Sequence, residues 1–186
     1  LETLTLNKTA QQFDTVMERC RVIFVKKTQD YGTSWRVMRA RSLTDQIFIK
    51  AKRIKTIDDK GKNLVQDSIE DDYIGIINYC ILAVMQLNLP EDGELELSHN
   101  KAVTLFDETV KQIKDLMLKK NHDYGEAWRD MRVSSFTDLV LMRLMRLKQI
   151  EDNNGTTLIS EGPESNYMDI VNYCVFALIK LKEEEN

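Results

Sequence analysis

Apolar residues recur at three- and four-residue spacing along most of this chain. Phe13, Val16, Met17, Cys20, Ile23 and Phe24 lay a stripe on one face, which predicts an amphipathic helix from about Thr9 to Gln29. Thr9-Ala10-Gln11-Gln12 has the form of a capping box, with a hydroxyl for an orphan amide and Gln12 reaching back. The pattern breaks over residues 30–41, where Gly32 is a turn residue and a short helical turn is expected around Trp35 to Met38. Ser42-Leu43-Thr44-Asp45 has the form of a second cap, and Ile47, Ala51 and Ile54 carry a helix on to about Ile57. That helix is expected to break over residues 58–62, at Gly61. A third helix is predicted from Ser68 or Ile69 to Leu87. It is apolar on nearly all sides from Tyr73 onward, as suits the centre of a bundle. Residues 89–100, with Pro90, Gly93 and acidic side chains, read as a linker of ordinary length. The plan then repeats: a helix over 101–121, a connection, a helix over 135–152, a turn at 153–155 and a last helix opening near Pro163. A frayed tail is expected over 182–186.

The recurrence extends to the residues themselves. Lys26-Lys27-Thr28-Gln29-Asp30-Tyr31-Gly32-Thr33-Ser34-Trp35-Arg36-Val37-Met38-Arg39 returns as Lys119-Lys120-Asn121-His122-Asp123-Tyr124-Gly125-Glu126-Ala127-Trp128-Arg129-Asp130-Met131-Arg132. Thr44-Asp45 meets Thr137-Asp138, Arg53 meets Arg146, and after one extra residue Asn78-Tyr79-Cys80 meets Asn172-Tyr173-Cys174. The chain is a tandem duplication. A half of about 80 residues buries too little surface to stand alone, so the two copies should pack face to face around one core. The expectation is a single all-α domain over 1–186: repeat one at 10–88, the linker, and repeat two at 101–182. Its six main helices would be related by a pseudo-twofold axis, and a homodimer on top of this internal one would hold four repeats.

Two prolines and seven glycines in 186 residues agree with an all-helical chain. A net charge of -4 lacks the basic excess that duplex nucleic acid selects, so no such partner is expected. The most apolar run, residues 74–89, is interrupted by Asn78 and Gln86 and is shorter than the ~20 residues of a bilayer span. No membrane association is expected. Asp14, Glu18 and Asp30 argue against a signal peptide. Cys20, Cys80 and Cys174 lie in apolar runs without a Cys-x-x-Cys pair, as buried thiols of a reducing, cytoplasmic compartment would.

Candidate chemistry falls into three groups. Asp67 and Asp71 share a helix face, with Glu161 and Ser165 as counterparts and Asp169 further on, where repeat one has Gly75. Such carboxylates suit a hard cation such as Mg2+, and equally suit helix capping. Arg36 and Arg39, Arg129 and Arg132, Lys50 and Arg53, and Arg143 and Arg146 are cations three apart, suited to phosphate oxygens or to bridges with Asp45, Asp59, Asp138 and Asp152. Asp30, Tyr31 and Trp35, with Asp123, Tyr124 and Trp128, would bring a carboxylate and a stacking surface to one loop, unless the tryptophans are core anchors. His99 and His122 have no counterparts, which disfavours a histidine-centred mechanism.

The Lys-x-x-Asp-Tyr-Gly-x-x-Trp-Arg-x-Met-Arg pattern, with the Thr-Asp, Lys/Arg-x-x-Arg and Ile-x-Asn-Tyr segments, resembles the nucleotide modification associated domain 1 family in duplicated form, over about residues 10–182. More distantly, the helix order and the acidic residues ahead of Asn-Tyr look like the MazG-type all-α nucleoside triphosphate pyrophosphohydrolases. Those enzymes hold Mg2+ with Glu-Glu-x-x-Glu and Glu-x-x-Asp motifs. Nothing in this chain reads Glu-Glu-x-x-Glu; the first helices offer only Asp14 with Glu18, and Asp107 with Glu108. The resemblance implies a Mg2+-dependent pyrophosphohydrolase acting on a nucleoside triphosphate. Asp67, Asp71, Glu161 and Asp169 would hold metal, the arginines would neutralise phosphate, and a tryptophan would stack the base. The alternative is a non-catalytic nucleotide-binding or interaction module. A third reading is a helical scaffold whose arginines only bridge carboxylates.

Overall fold

Each apolar stripe forms a helix in the computed structural model, which describes residues 2–61, 64, 67–159 and 161–186. The helices are α1 (Glu2–Tyr31), α2 (Ala40–Lys60), α3 (Ile69–Asn88), α4 (His99–Tyr124), α5 (Val133–Asp152) and α6 (Pro163–Glu184). One-turn 3-10 helices, Ser34–Val37 and Ala127–Asp130, follow α1 and α4. No strand occurs among the described residues. No helix is long and apolar enough to cross a membrane, again among the described residues.

Helix starts differ from the sequence expectation in an instructive way. Ser68 caps α3 in a full capping box: its hydroxyl accepts from the Asp71 amide at 3.1 Å, and the Asp71 carboxylate accepts from the Ser68 amide at 3.0 Å. Thr9 caps nothing, because α1 has already begun at Glu2. Its buried hydroxyl donates instead to the Glu126 carboxylate, 2.6 Å away in the other repeat. Likewise α2 begins at Ala40, ahead of the Ser42 to Asp45 signature, with Arg39 at the N-cap, and α5 begins at Val133 after Arg132. Gly61 ends α2 in the left-handed region, as expected; Lys62, the last residue of the expected break, lies outside the described residues. At the C-terminus α6 continues to Glu184 instead of fraying from residue 182.

α3 and α6, apolar nearly all round, pack on each other, and α2 and α5 cover them and touch each other; α1 lies on α4. One core cluster runs through all six helices and includes Phe13, Ile47, Ile76, Phe106, Leu144 and Ile170. Two matched hydrogen bonds cross the repeat boundary inside this core. The Tyr73 hydroxyl meets Thr137 at 2.8 Å, and the Tyr167 hydroxyl meets Thr44 at 2.7 Å. The Thr-Asp segments that resemble helix starts thus tie the repeats together. All three cysteines are buried, and burial pushes the Cys20 thiol up to about 12.

Candidate functional site

The two Asp-Tyr-Gly loops are built alike. α1 and α4 end on left-handed glycines, Gly32 at φ 60° and Gly125 at φ 59°, a conformation that a side chain resists. The reversal brings in the 3-10 turn that carries tryptophan and arginine. Arg36, only 7% exposed, donates to the Pro90 carbonyl at 2.9 Å, to the Glu94 carbonyl at 3.1 Å and to the Gln86 side chain. Gln86 donates back to the carbonyls of Arg36 and Met38. Arg129 donates to Thr9 and Gln12 at 2.8 Å and to Glu126 at 3.0 Å. Lys180, in the place of Gln86, donates to the Arg129 carbonyl at 2.6 Å. Arg36 therefore clamps the linker that leads into α4, and Arg129 clamps α1 itself, so each loop arginine holds the other repeat. Arg36 and Arg129 are expected phosphate ligands whose donors are already engaged within the fold.

The two tryptophans part company. Trp128 is buried, stacked on Phe176 with ring centroids 4.2 Å apart, and covered by the Arg129 guanidinium. Trp35 faces Leu82 in place of Phe176 and lines a cleft of about 740 Å3 between α1, the first 3-10 turn, α2 and α3. Tyr31, Trp35 and Tyr79 supply its aromatic wall, and Phe24 and Leu82 its apolar interior. Lys27 and Lys50 are its cations. Lys27 is exposed and has no ion-pair partner among the described residues. Lys50 reaches Asp72 only at 3.8 Å, and the other Asp72 oxygen is taken by Arg53. Gly75 forms the α3 surface beneath Lys50; a Cβ there would stand 2.9 Å from Lys50 Cε and 3.2 Å from its Nζ. Two buried polar atoms beside the cleft, Asn78 Oδ1 and Trp35 Nε1, make no hydrogen bond.

At the matching place in repeat two the chemistry is closed on itself. Asp169, which replaces Gly75, lies with 4% of its side chain exposed between the counterparts of Lys27 and Lys50. Lys120 Nζ is 2.5 Å from one Asp169 oxygen, and an Arg143 nitrogen is 2.9 Å from the other. Arg143 also donates to Asn166 at 3.2 Å.

The model of the nucleotide modification associated domain 1 family matches the chain twice, over residues 27–87 and 120–181, which is more than half of it. The chain belongs to this family. No curated protein and no solved structure matches it. Each nucleotide modification associated domain copy opens at the lysine, Lys27 or Lys120, and closes near the end of α3 or α6.

The remaining expected site residues scatter over the two domain copies. Arg39 and Arg132 stand exposed at N-cap positions, and Arg146 is exposed on α5. Arg53 bonds Asp72 and donates to the Asp67 carbonyl at 2.8 Å. Asp30 is exposed, as is Tyr124, and Asp123 contacts His122. The four carboxylates expected to hold Mg2+ are not gathered: among the described residues no three His, Cys, Asp or Glu side chains converge on a point that could hold a metal ion. Asp71 is engaged by its own helix start, Glu161 accepts from Ser165 at 2.6 Å, and Asp169 is neutralised by two cations. Protein-held Mg2+ does not fit this donor set. Lys27, Gly75 and Tyr79 stand outside the set of site residues expected from the sequence. Lys27 opens the repeated motif, and the unequal pair Gly75 and Asp169 marks where the copies differ.

Proposed function

We propose that this protein is a nucleotide-binding module whose ligand occupies the cleft of repeat one. The observation that carries the reading is the meeting of an aromatic wall, Tyr31, Trp35 and Tyr79, with Lys27, which pairs with no carboxylate among the described residues. A planar base gains from stacking on such rings, and an ammonium group in a concave, partly apolar site favours a phosphate. The family's description, nucleotide modification associated, names the same ligand chemistry. Hydrolysis is not part of the reading, because it would require a carboxylate set for Mg2+ and Asp67, Asp71, Glu161 and Asp169 form none.

Calorimetric titration of nucleoside mono- and triphosphates, first with Mg2+ and then with EDTA, tests this together with an assay for pyrophosphate release. The expected result is one site per chain, a change in Trp35 fluorescence, no loss of affinity in EDTA and no release. Lys27→Met should weaken binding by about tenfold or more, since a charge-assisted contact contributes about 1.5–3 kcal/mol, while the unfolding midpoint of this exposed position stays put. Metal-dependent release of pyrophosphate would establish the hydrolase instead. Failure of every nucleotide to bind would leave the helical scaffold as the account.

A further inference from the structure

The geometry points to a phosphate seat above Gly75, between Lys27 and Lys50, whose duplicate in repeat two is filled by the chain's own Asp169. This inference rests on the nucleotide reading and sharpens it to a nucleoside monophosphate. Lys27, Lys50 and Gly75 align with Lys120, Arg143 and Asp169, and α1 to α3 are repeated by α4 to α6. In repeat two an anionic oxygen pair rests between the two cations, at 2.5 Å and 2.9 Å. In repeat one the same pair of cations faces a glycine. The three atoms nearest a Cβ there all belong to the flexible Lys50 side chain, and no carboxylate pairs with Lys27 among the described residues. Asp169 thus marks where an anion sits in this fold, and repeat one has to take that anion from outside.

The charges that line the cleft indicate how large the anion is. Lys27 and Lys50 are the cations among the lining residues, and Asp71 stands on the same wall. Asp72, behind Lys50, is already held by Arg53. One phosphate group is satisfied by two ammonium groups. The further phosphates of a triphosphate would approach Asp71, with no additional lining cation among the described residues to receive them.

The test is calorimetry on wild type, Gly75→Asp, Asp169→Gly and Lys27→Met with nucleoside 5′-monophosphates, triphosphates and inorganic phosphate as probes. A monophosphate should bind wild type once per chain, about tenfold or more tighter than the triphosphate of the same base. Gly75→Asp should fold with a raised unfolding midpoint and lose monophosphate binding, because it supplies internally what the ligand brings. Asp169→Gly should raise the stoichiometry from one to two; if that variant fails to fold, Gly75→Asp decides alone. Retained affinity in Gly75→Asp, with affinity lost in Lys27→Met, overturns the seat and leaves the nucleotide reading standing. Preference for the triphosphate overturns the monophosphate class, and a folded Asp169→Gly with one site overturns the claim for repeat two. Absence of any nucleotide binding to wild type overturns both readings.

Discussion

A residue that returns in both repeats is needed twice, but recurrence does not say for what. Arg36 and Arg129 return because each loop must hold the other repeat, and a guanidinium with several donors reaches two or three acceptors at once. Arg36→Met would remove the buried guanidinium that ties the Pro90 and Glu94 carbonyls and the Gln86 side chain together, so a loss of about 2 kcal/mol in urea unfolding is expected. Arg39→Met, at an exposed N-cap without a side-chain capping bond, should stay within about 0.5 kcal/mol in the same measurement. The cation types were legible in sequence as a repeated set. Which of them the fold engages was not, because that depends on acceptors contributed by residues far along the chain. Gly75 shows the converse: a residue without a side chain carries no chemical signal until its surroundings are known.

Helices were legible because the 3.6-residue period of burial is written directly in the apolar positions, and the extents of α2, α3 and α5 follow it closely. Their starts were less so. A capping signature uses four residues, and the same residues serve inside a helix when a threonine hydroxyl donates to the carbonyl one turn back, as Thr44 does to Ala40 at 3.1 Å. Thr44 and Thr137 instead join elements across the pseudo-twofold, and their environments differ. Tyr167 keeps Glu151 as a second partner at 3.3 Å, whereas Tyr73 has only Thr137 among the described residues. Thr137→Val should cost about 2 kcal/mol, and Thr44→Val, which also removes the 2.6 Å contact of Thr44 with the Glu151 carboxylate, should cost at least as much, as read from denaturant midpoints. A loss for Thr44→Val well below that for Thr137→Val would contradict the contact between Thr44 and Glu151.

At the scale of the whole molecule, the shared core holds acids that ionise only reluctantly. Burial raises the thiols of Cys20, Cys80 and Cys174 above their ordinary value of 9.0, and the phenols of Tyr73 and Tyr167 above 10.0. In the unfolded chain these groups lose protons near their ordinary values, while the folded chain keeps them. The folded state then binds more protons, so stability must fall as pH rises. Thermal midpoints should be nearly level up to about pH 8.5 and then decline steadily through about pH 11, thiols first and phenols next. A midpoint that rose over this range would show that these groups are not buried in the neutral form. Slow alkylation of all three cysteines in the folded protein, and rapid alkylation in urea, is the matching chemical result.

The sequence by itself determined the all-helical class, the duplication, the order of the six helices and the family. These follow from periodicity and from matched residues, which are properties of neighbours along a chain. Tertiary structure alone decided which repeat pairs its two cations with an internal carboxylate. Lys27, Lys50 and Gly75 are distant in sequence and meet only when α1, α2 and α3 pack, and their counterparts Lys120 and Arg143 are closed by Asp169 through the same packing. With aspartate in the place of glycine the two cations gain a partner within the chain, because charge pairing is set by distances of a few ångströms that only the folded chain defines.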